Sequence, residues 1–482
     1  MEMRIKVLLH WKELMLFLFL FLILFVVGSW RLPHSPSTWF DEGINIGISQ
    51  SLVEKHIYSL RVTPNMFVAE RYFLITTNYP VLIPVAISLK LLGYNFVAAR
   101  LPMLLYLLFF GLVFYLLVRR QYGSMYALFS LSLLVSFAPL YGNGKAVLGE
   151  VPGLLFFLLG LSLLPKDYSL KRLLISGLMF GLAIATKPFF LIIIPAVLIG
   201  EWYRMVALSA SKFFNRLCLL LLGATFPLLI WLYTIIPDFS PIKVIHAVSY
   251  YSNSYAANNF LNIIFNNLFR FFSETTPIHF FLMFVVVVCG AVYRLKKKEK
   301  LSTVEVILFI FIILNWLWYL KTPGWYRYFF TAHILLFLMF PYYLRRLLNK
   351  KAVIILLSIL FLVQFTYLLF KRTDILYNSD SVAVVASYIT QNIERQDSLL
   401  VINNPSLAFL LDRFEPYQYL QINPSLHFGL GSLNDNSGQP FSHIIISGDL
   451  NESRLNNLVD TLNERYTKEY QYEKYIIYHY EQ

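Results

Sequence analysis

Eleven apolar runs, at residues 14–28, 97–118, 124–141, 151–165, 173–187, 189–203, 217–236, 277–293, 303–320, 328–344 and 352–370, occupy most of the first three quarters of this chain. A helix needs about 20 apolar residues to cross the hydrocarbon of a bilayer, so the longer runs suffice alone and the shorter ones borrow flanking aromatics. The chain is 58% hydrophobic and only 14% charged. Soluble domains carry about a quarter charged residues, so a water-facing surface cannot be built from this composition. The sequence predicts an all-α polytopic membrane bundle of about eleven spans.

The net charge of +13 would suit a nucleic-acid partner, but its distribution points elsewhere. Lys and Arg cluster between alternate runs: Arg119-Arg120; Lys166 with Lys171-Arg172; Arg204, Lys212 and Arg216; Arg294 with Lys296-Lys297-Lys298 and Lys300; Arg345-Arg346 with Lys350-Lys351. That is the pattern of cytoplasmic loops. The basic start (Arg4, Lys6, Lys12) agrees with it, and no small-x-small cleavage site follows Val27, so an uncleaved first helix is expected with its N-terminus in the cytoplasm. An odd number of spans then places everything after Lys371 outside.

Two large outside loops follow, at residues 31–95 and 237–276, and the apolar stretch ending at Gly93 is short for a span and is expected at the interface or packed against the bundle. The domain division is therefore 1–370, the membrane part, and 371–482, a small soluble α/β region. There, from about Asp374, composition becomes ordinary. Leu399–Ile402, His443–Ile446 and Tyr475–Tyr478 read as strands, and Ser379–Ile393 and Ser453–Tyr466 as amphipathic helices.

The sharpest chemical feature is Trp39-Phe40-Asp41-Glu42-Gly43, two carboxylates just outside the first span. One could serve as a general base; a helix cap and first-turn acid is the alternative. Isolated charges at other outer helix ends are Lys145, Glu150, Lys187 and Arg327. Intramembrane or interfacial ions are costly and often face a cavity, although simple snorkelling is an alternative for each. His246, His279 and His333 show no ligand spacing with a carboxylate, so no metal ligands are assigned, and the two cysteines, Cys218 and Cys289, lie in apolar runs. No Walker-type glycine loop is present.

The Asp41-Glu42 pair, Tyr79-Pro80, Leu92-Gly93, Ala98-Ala99-Arg100-Leu101-Pro102, Gly149-Glu150-Val151-Pro152, Thr186-Lys187-Pro188 and Arg327-Tyr328, in this order, resemble the C-type membrane glycosyltransferases of family 39. That family includes protein O-mannosyltransferases and lipid A aminoarabinose transferases. The resemblance covers residues 1–370. It implies inverting transfer of a sugar from a polyprenyl-phosphate donor to a glycan, lipid or protein hydroxyl on the outer face of the cytoplasmic membrane. It makes Asp41 the base and Glu42 its partner, orienting the acceptor. Lys187, Arg327, Arg100 and Lys145 become donor-phosphate ligands, and Glu150, Tyr79 and Tyr326 complete the substrate-binding set. A divalent cation could assist. One departure is visible: aminoarabinose transferases place a lysine before a Pro-Pro pair in the first outside loop, where this chain has Thr76-Thr77-Asn78-Tyr79-Pro80-Val81. The resemblance therefore leaves the sugar open. The inserted domain usual in protein mannosyltransferases is also absent. A non-enzymatic flippase or exporter of lipid-linked sugars is the rival reading, distinguished by polar residues deep within several spans.

Overall fold

The computed structural model describes residues 2–481 apart from 70, 72–74, 166, 206–209, 254–259, 371–378, 412–416, 422–432, 436, 448–457 and 461. Lys166, Lys371, Asp374 and part of the helix expected over Ser453–Tyr466 lie outside the described residues; 458–460 and 462–463 within it are helical. Each of the eleven apolar runs forms helix. In chain order the helices are α1 (Glu2–Ser29), α2 (Phe40–Lys55), α3 (Tyr79–Leu92), α4 (Phe96–Tyr122), α5 (Ser124–Ser136), α6 (Ala138–Gly144), α7 (Glu150–Leu163), α8 (Leu170–Thr186), α9 (Ile193–Met205), α10 (Ala210–Ile235), α11 (Pro241–Asn253), α12 (Phe260–Ser273), α13 (Thr275–Lys296), α14 (Thr303–Tyr319), α15 (Arg327–Leu347) and α16 (Lys350–Phe370). Among the described residues five of them are long and apolar enough to cross a membrane, α1, α4, α10, α13 and α16, and the bent pair α5–α6 makes a sixth if it is one span. The chain is a multi-pass membrane protein. Only 17% of the apolar stretch of α1 and of α16 is covered by protein, against 56% for α4, so α1 and α16 sit on the lipid-facing outside and α4 runs through the middle.

The run at 124–141 breaks by 68° between α5 and α6. Pro139 has no N–H to donate to the carbonyl four residues back, that of Val135. The Tyr141 hydroxyl donates to that carbonyl instead, at 2.7 Å. The freed acceptor is thus satisfied inside the bundle.

The two ends of the bundle differ chemically. At one end the basic loop residues are tied together: Arg119 to Glu13 at 2.6 Å, Arg216 to Glu201 at 2.7 Å, Arg294 to Glu305 at 2.6 Å, and Arg346 to Glu299 at 3.1 Å. At the other end lie the starts of α2, α4, α7 and α15 and the end of α8, which carry the candidate site residues.

The C-terminal region contains α17 (Ser381–Asn392), β3 (Leu399–Ile402), α18 (Pro405–Leu410), β4 (Gln418–Gln421), β5 (His443–Ser447), β6 (Thr467–Tyr472) and β7 (Tyr475–His479), after a small hairpin, β1 (Arg61–Thr63) and β2 (Met66–Phe67), in the first loop. Its sheet has the order β4-β3-β5-β7-β6, parallel across β4-β3-β5 and antiparallel beyond. Both faces are covered, which is why Leu-Leu-Val-Ile and Ile-Ile-Ile read as continuous apolar runs. Leu399, Val401, Ile445 and Ile477 share one core with Ile44, Ile48, Val81 and Phe96. The sheet is thus joined to α2, α3 and α4 by a common core. Gly43 makes this docking close: a Cβ there would lie 2.5 Å from the Ser406 nitrogen at the start of α18.

Candidate active site

Asp41 and Glu42 fall in the first turn of α2, after Trp39 as N-cap, where the helix dipole favours anions. Neither side chain is the cap. Adjacent helical residues point about 100° apart, so the two carboxylates go to different places. Glu42 is fully buried and accepts from Arg100 Nε and Nη2 at 2.8 and 2.7 Å and from the Val147 amide at 3.1 Å. Arg100, equally buried, spends Nη1 on the Leu32 carbonyl at 2.8 Å. Expected to orient an acceptor and to bind phosphate, Glu42 and Arg100 here hold each other, and the pair ties the α2 start to α4 and to the loop before α7. Asn45, which the sequence did not single out, adds to this clamp through the Val147 carbonyl at 2.7 Å.

Lys145, expected as a phosphate ligand, is buried near this clamp. Its ammonium donates to the Trp30 carbonyl at 2.6 Å. Burial, then the nearby Arg100 charge, holds it down to about 7. An unfolded lysine titrates near 10.4, so between these values the unfolded chain binds one more proton and stability from this group rises with pH. Unfolding of the detergent-solubilised protein should show a gain of ~1–2 kcal/mol from pH 7 to pH 9 in wild type that Lys145→Met lacks.

Asp41 takes the other direction. It forms an ion pair with Arg327, the first residue of α15, with 27% of the Asp41 side chain exposed against 10% of the arginine. Trp39, Trp325 and Tyr328 surround the guanidinium, with ring centroids 5.0–5.8 Å away. The loop before α15 is pinned from α12, by Asn267 to the Thr322 carbonyl at 2.8 Å and Arg270 to the Gly324 carbonyl at 2.7 Å.

Beside this pair lies a second one, Lys187 with Glu150. Pro188 forces the preceding Lys187 into extended backbone (φ −159°, ψ 131°), which ends α8 and turns the ammonium towards the start of α7. Gly149 lets the two ends meet, since a Cβ there would come 2.8 Å from the Thr186 carbonyl oxygen. Glu150 is near enough to Arg327 for its charge to act on the guanidinium. The four side chains form one group of two cations and two anions. Within it, Glu150 Oε2 and Arg327 Nε are buried without a hydrogen-bond partner among the described residues. Buried polar atoms are rarely left without a partner.

Tyr79 and Tyr326 lie outside this group. The Tyr79 hydroxyl reaches the Pro227 carbonyl at 3.3 Å, and that of Tyr326 contacts His333 at 3.0 Å. His333 contacts His279 at 2.9 Å, His279 contacts Gln364 at 3.3 Å, and Ser136 donates to Gln364 at 2.8 Å. This chain links α15, α13, α16 and α5. Its members are far apart in sequence, so each histidine read singly gave no sign of it. A small cavity of about 30 Å³ lined by Gln50, Arg61, Phe409 and Gln418 lies behind α2, among residues apart from the ionic group, and has room for one water.

The crystal structure of ArnT from Cupriavidus metallidurans bound to undecaprenyl phosphate superposes with a TM-score of 0.63 at 15% identity, covering 96% of this chain and 97% of that one. The chain has the ArnT fold. The apo state of ArnT from the same organism gives a TM-score of 0.59 at 14% identity with the same coverage. Residues 81–233 match the sequence model of the family described as dolichyl-phosphate-mannose-protein mannosyltransferase. The resemblance to C-type glycosyltransferases of family 39, read from the motifs, thus extends to the whole ArnT-like fold. No curated protein matches the chain in sequence.

Proposed function

We propose that the chain is an inverting glycosyltransferase that moves a sugar from a polyprenyl-phosphate donor to a hydroxyl acceptor on the outer face of the cytoplasmic membrane. In this reading about eleven helices span the bilayer, the N-terminus is cytoplasmic, and 371–482 is an outside domain. The observation that carries the reading is the group Asp41–Arg327 with Glu150–Lys187, largely buried with Asp41 as its most exposed member, at the bundle end opposite the basic loops. The ArnT fold and the mannosyltransferase-family match support a polyprenyl-phosphate-linked donor.

The chemistry assigns each residue a task. Both cations are neutralised by carboxylates in the absence of donor, so a phosphate displaces one interaction with another instead of entering a bare cationic pocket. When the donor phosphate draws Arg327, Asp41 is released to accept the proton of the acceptor hydroxyl. The acceptor oxygen bonds to the anomeric carbon as the carbon–oxygen bond to phosphate breaks. The leaving polyprenyl phosphate takes that electron pair, and Lys187 and Arg327 stabilise its added charge. Glu150 holds Lys187 in place.

Lys187→Gln tests the phosphate role. Loss of one charge-assisted contact of about 1.5–3 kcal/mol should raise the dissociation constant of the donor about 10- to 100-fold. Equal donor binding in wild type and variant removes Lys187 from the site.

The flippase reading gains one observation, the His279–His333 chain inside the bundle. Both ring nitrogens of each histidine are already engaged, His333 by Tyr326 and His279, and His279 by His333 and Gln364. Such satisfied contacts hold helices together, and they favour the surface catalyst over a polar pathway.

A further inference from the structure

The C-terminal sheet carries a second constellation, remote in chemistry from the ionic group of the bundle. His443 on β5 and His479 on β7 are cross-strand partners. The register of β6 against β7 shifts between Lys468 and Tyr470, and this bulge turns Glu469 to the same side as the histidines. One ligand atom from each of His443, Glu469 and His479 lies within 4.8 Å of the others. His443 Nε2 is 3.0 Å from His479 Nδ1 and 3.2 Å from a Glu469 oxygen.

We infer that His443, His479 and Glu469 form a binding site for a divalent transition metal of the zinc class. Four ligands held tetrahedrally at zinc's usual 2.0–2.1 Å would stand about 3.3 Å apart. The two separations from His443 Nε2, 3.0 and 3.2 Å, are close to that edge length, and the third pair lies within 4.8 Å, so a small side-chain adjustment brings all three onto one ion, with water as the fourth ligand. Two imidazoles and one carboxylate suit zinc, whereas calcium and magnesium call for oxygen ligands.

An independent feature lies behind the ligands. His443 is 4% exposed, and its other ring nitrogen, Nδ1, is buried without a hydrogen-bond partner. That nitrogen faces Asp397 at 3.7 Å. A metal-bound imidazole characteristically directs its second nitrogen at a carboxylate, which fixes the ring and raises its basicity. The other Glu469 oxygen is held in the same manner, by the Tyr388 hydroxyl at 3.0 Å, and Tyr388 is itself stacked on Tyr470 with ring centroids 3.8 Å apart. Glu469 is exposed and His479 half-buried, so an ion can enter from solvent. Bound metal would fasten β5, β7 and β6 together at the open edge of the sheet.

The test uses the untagged full-length chain in detergent, stripped with chelator, loaded with ZnCl2 and desalted. Metal content by mass spectrometry should approach one zinc per chain. It should fall at least tenfold in His479→Ala and in Glu469→Gln, both at accessible positions. Asp397→Asn should bind zinc about 10- to 100-fold more weakly, since it removes only the outer partner. Circular dichroism and elution volume establish that the variants are folded. CoCl2 titration of wild type provides a reading independent of any variant, because tetrahedral cobalt gives strong visible absorption. Zinc should also raise the wild-type melting temperature and leave that of the variants unchanged. Wild type without zinc above background and without the cobalt spectrum, or folded variants that bind as wild type does, overturns the inference.

Discussion

Asp41→Asn should lower the turnover of sugar transfer by about 10²- to 10⁴-fold, the usual contribution of a positioned base. Its donor affinity should stay the same or tighten. Asparagine retains the shape but carries no charge, so Arg327 loses the partner with which a phosphate must compete. A purely structural ion pair predicts the reverse pattern, with weaker donor binding and a less stable protein because a buried guanidinium is left unpaired. Donor binding and single-turnover transfer, measured side by side in nanodiscs, separate the two. A variant that turns over at the wild-type rate removes Asp41 as the base.

Arg100→Met should destabilise the protein by about 3–5 kcal/mol, the cost of leaving one member of a buried pair uncompensated. Both Arg100 and Glu42 are inaccessible to solvent and bound to each other through two hydrogen bonds. The double variant Glu42→Gln/Arg100→Met should recover much of this loss, because no buried charge remains. A phosphate-binding role for Arg100 would instead leave stability near wild type and raise KM. Denaturant unfolding of the four proteins in the cycle, together with donor binding for each folded one, decides between these outcomes.

Much of the fold was legible because membrane helices announce themselves through long apolar runs. Every such run became a helix, and the bend at 136–138 follows from Pro139. The strands at Leu399, His443 and Tyr475 were equally visible, since both sheet faces are buried. The site was legible only as a set of charged residues at one end. Which carboxylate remains available depends on helical phase: one residue's rotation sends Asp41 to Arg327 and Glu42 to Arg100, 58 positions along the chain. Motif order could not show that Arg100 and Lys145 are consumed by Glu42 and the Trp30 carbonyl. Nor could spacing reveal His443, Glu469 and His479, which a strand pairing and a bulge bring together. Local sequence shows what a residue can do; tertiary partners determine whether it is free to do it.

Cleavage of a polyprenyl-phosphate sugar by this protein can be followed directly. The most direct measurement incubates purified wild-type protein in lipid with a panel of radiolabelled polyprenyl-phosphate sugars and a membrane extract as acceptor source. It follows release of polyprenyl phosphate and transfer of label, with Asp41→Asn beside it. Wild type should consume at least one donor with matching transfer of its sugar, and the variant should bind this donor without consuming it. Donors that bind both proteins alike and are recovered intact from each would contradict the claim and favour a carrier of lipid-linked sugars.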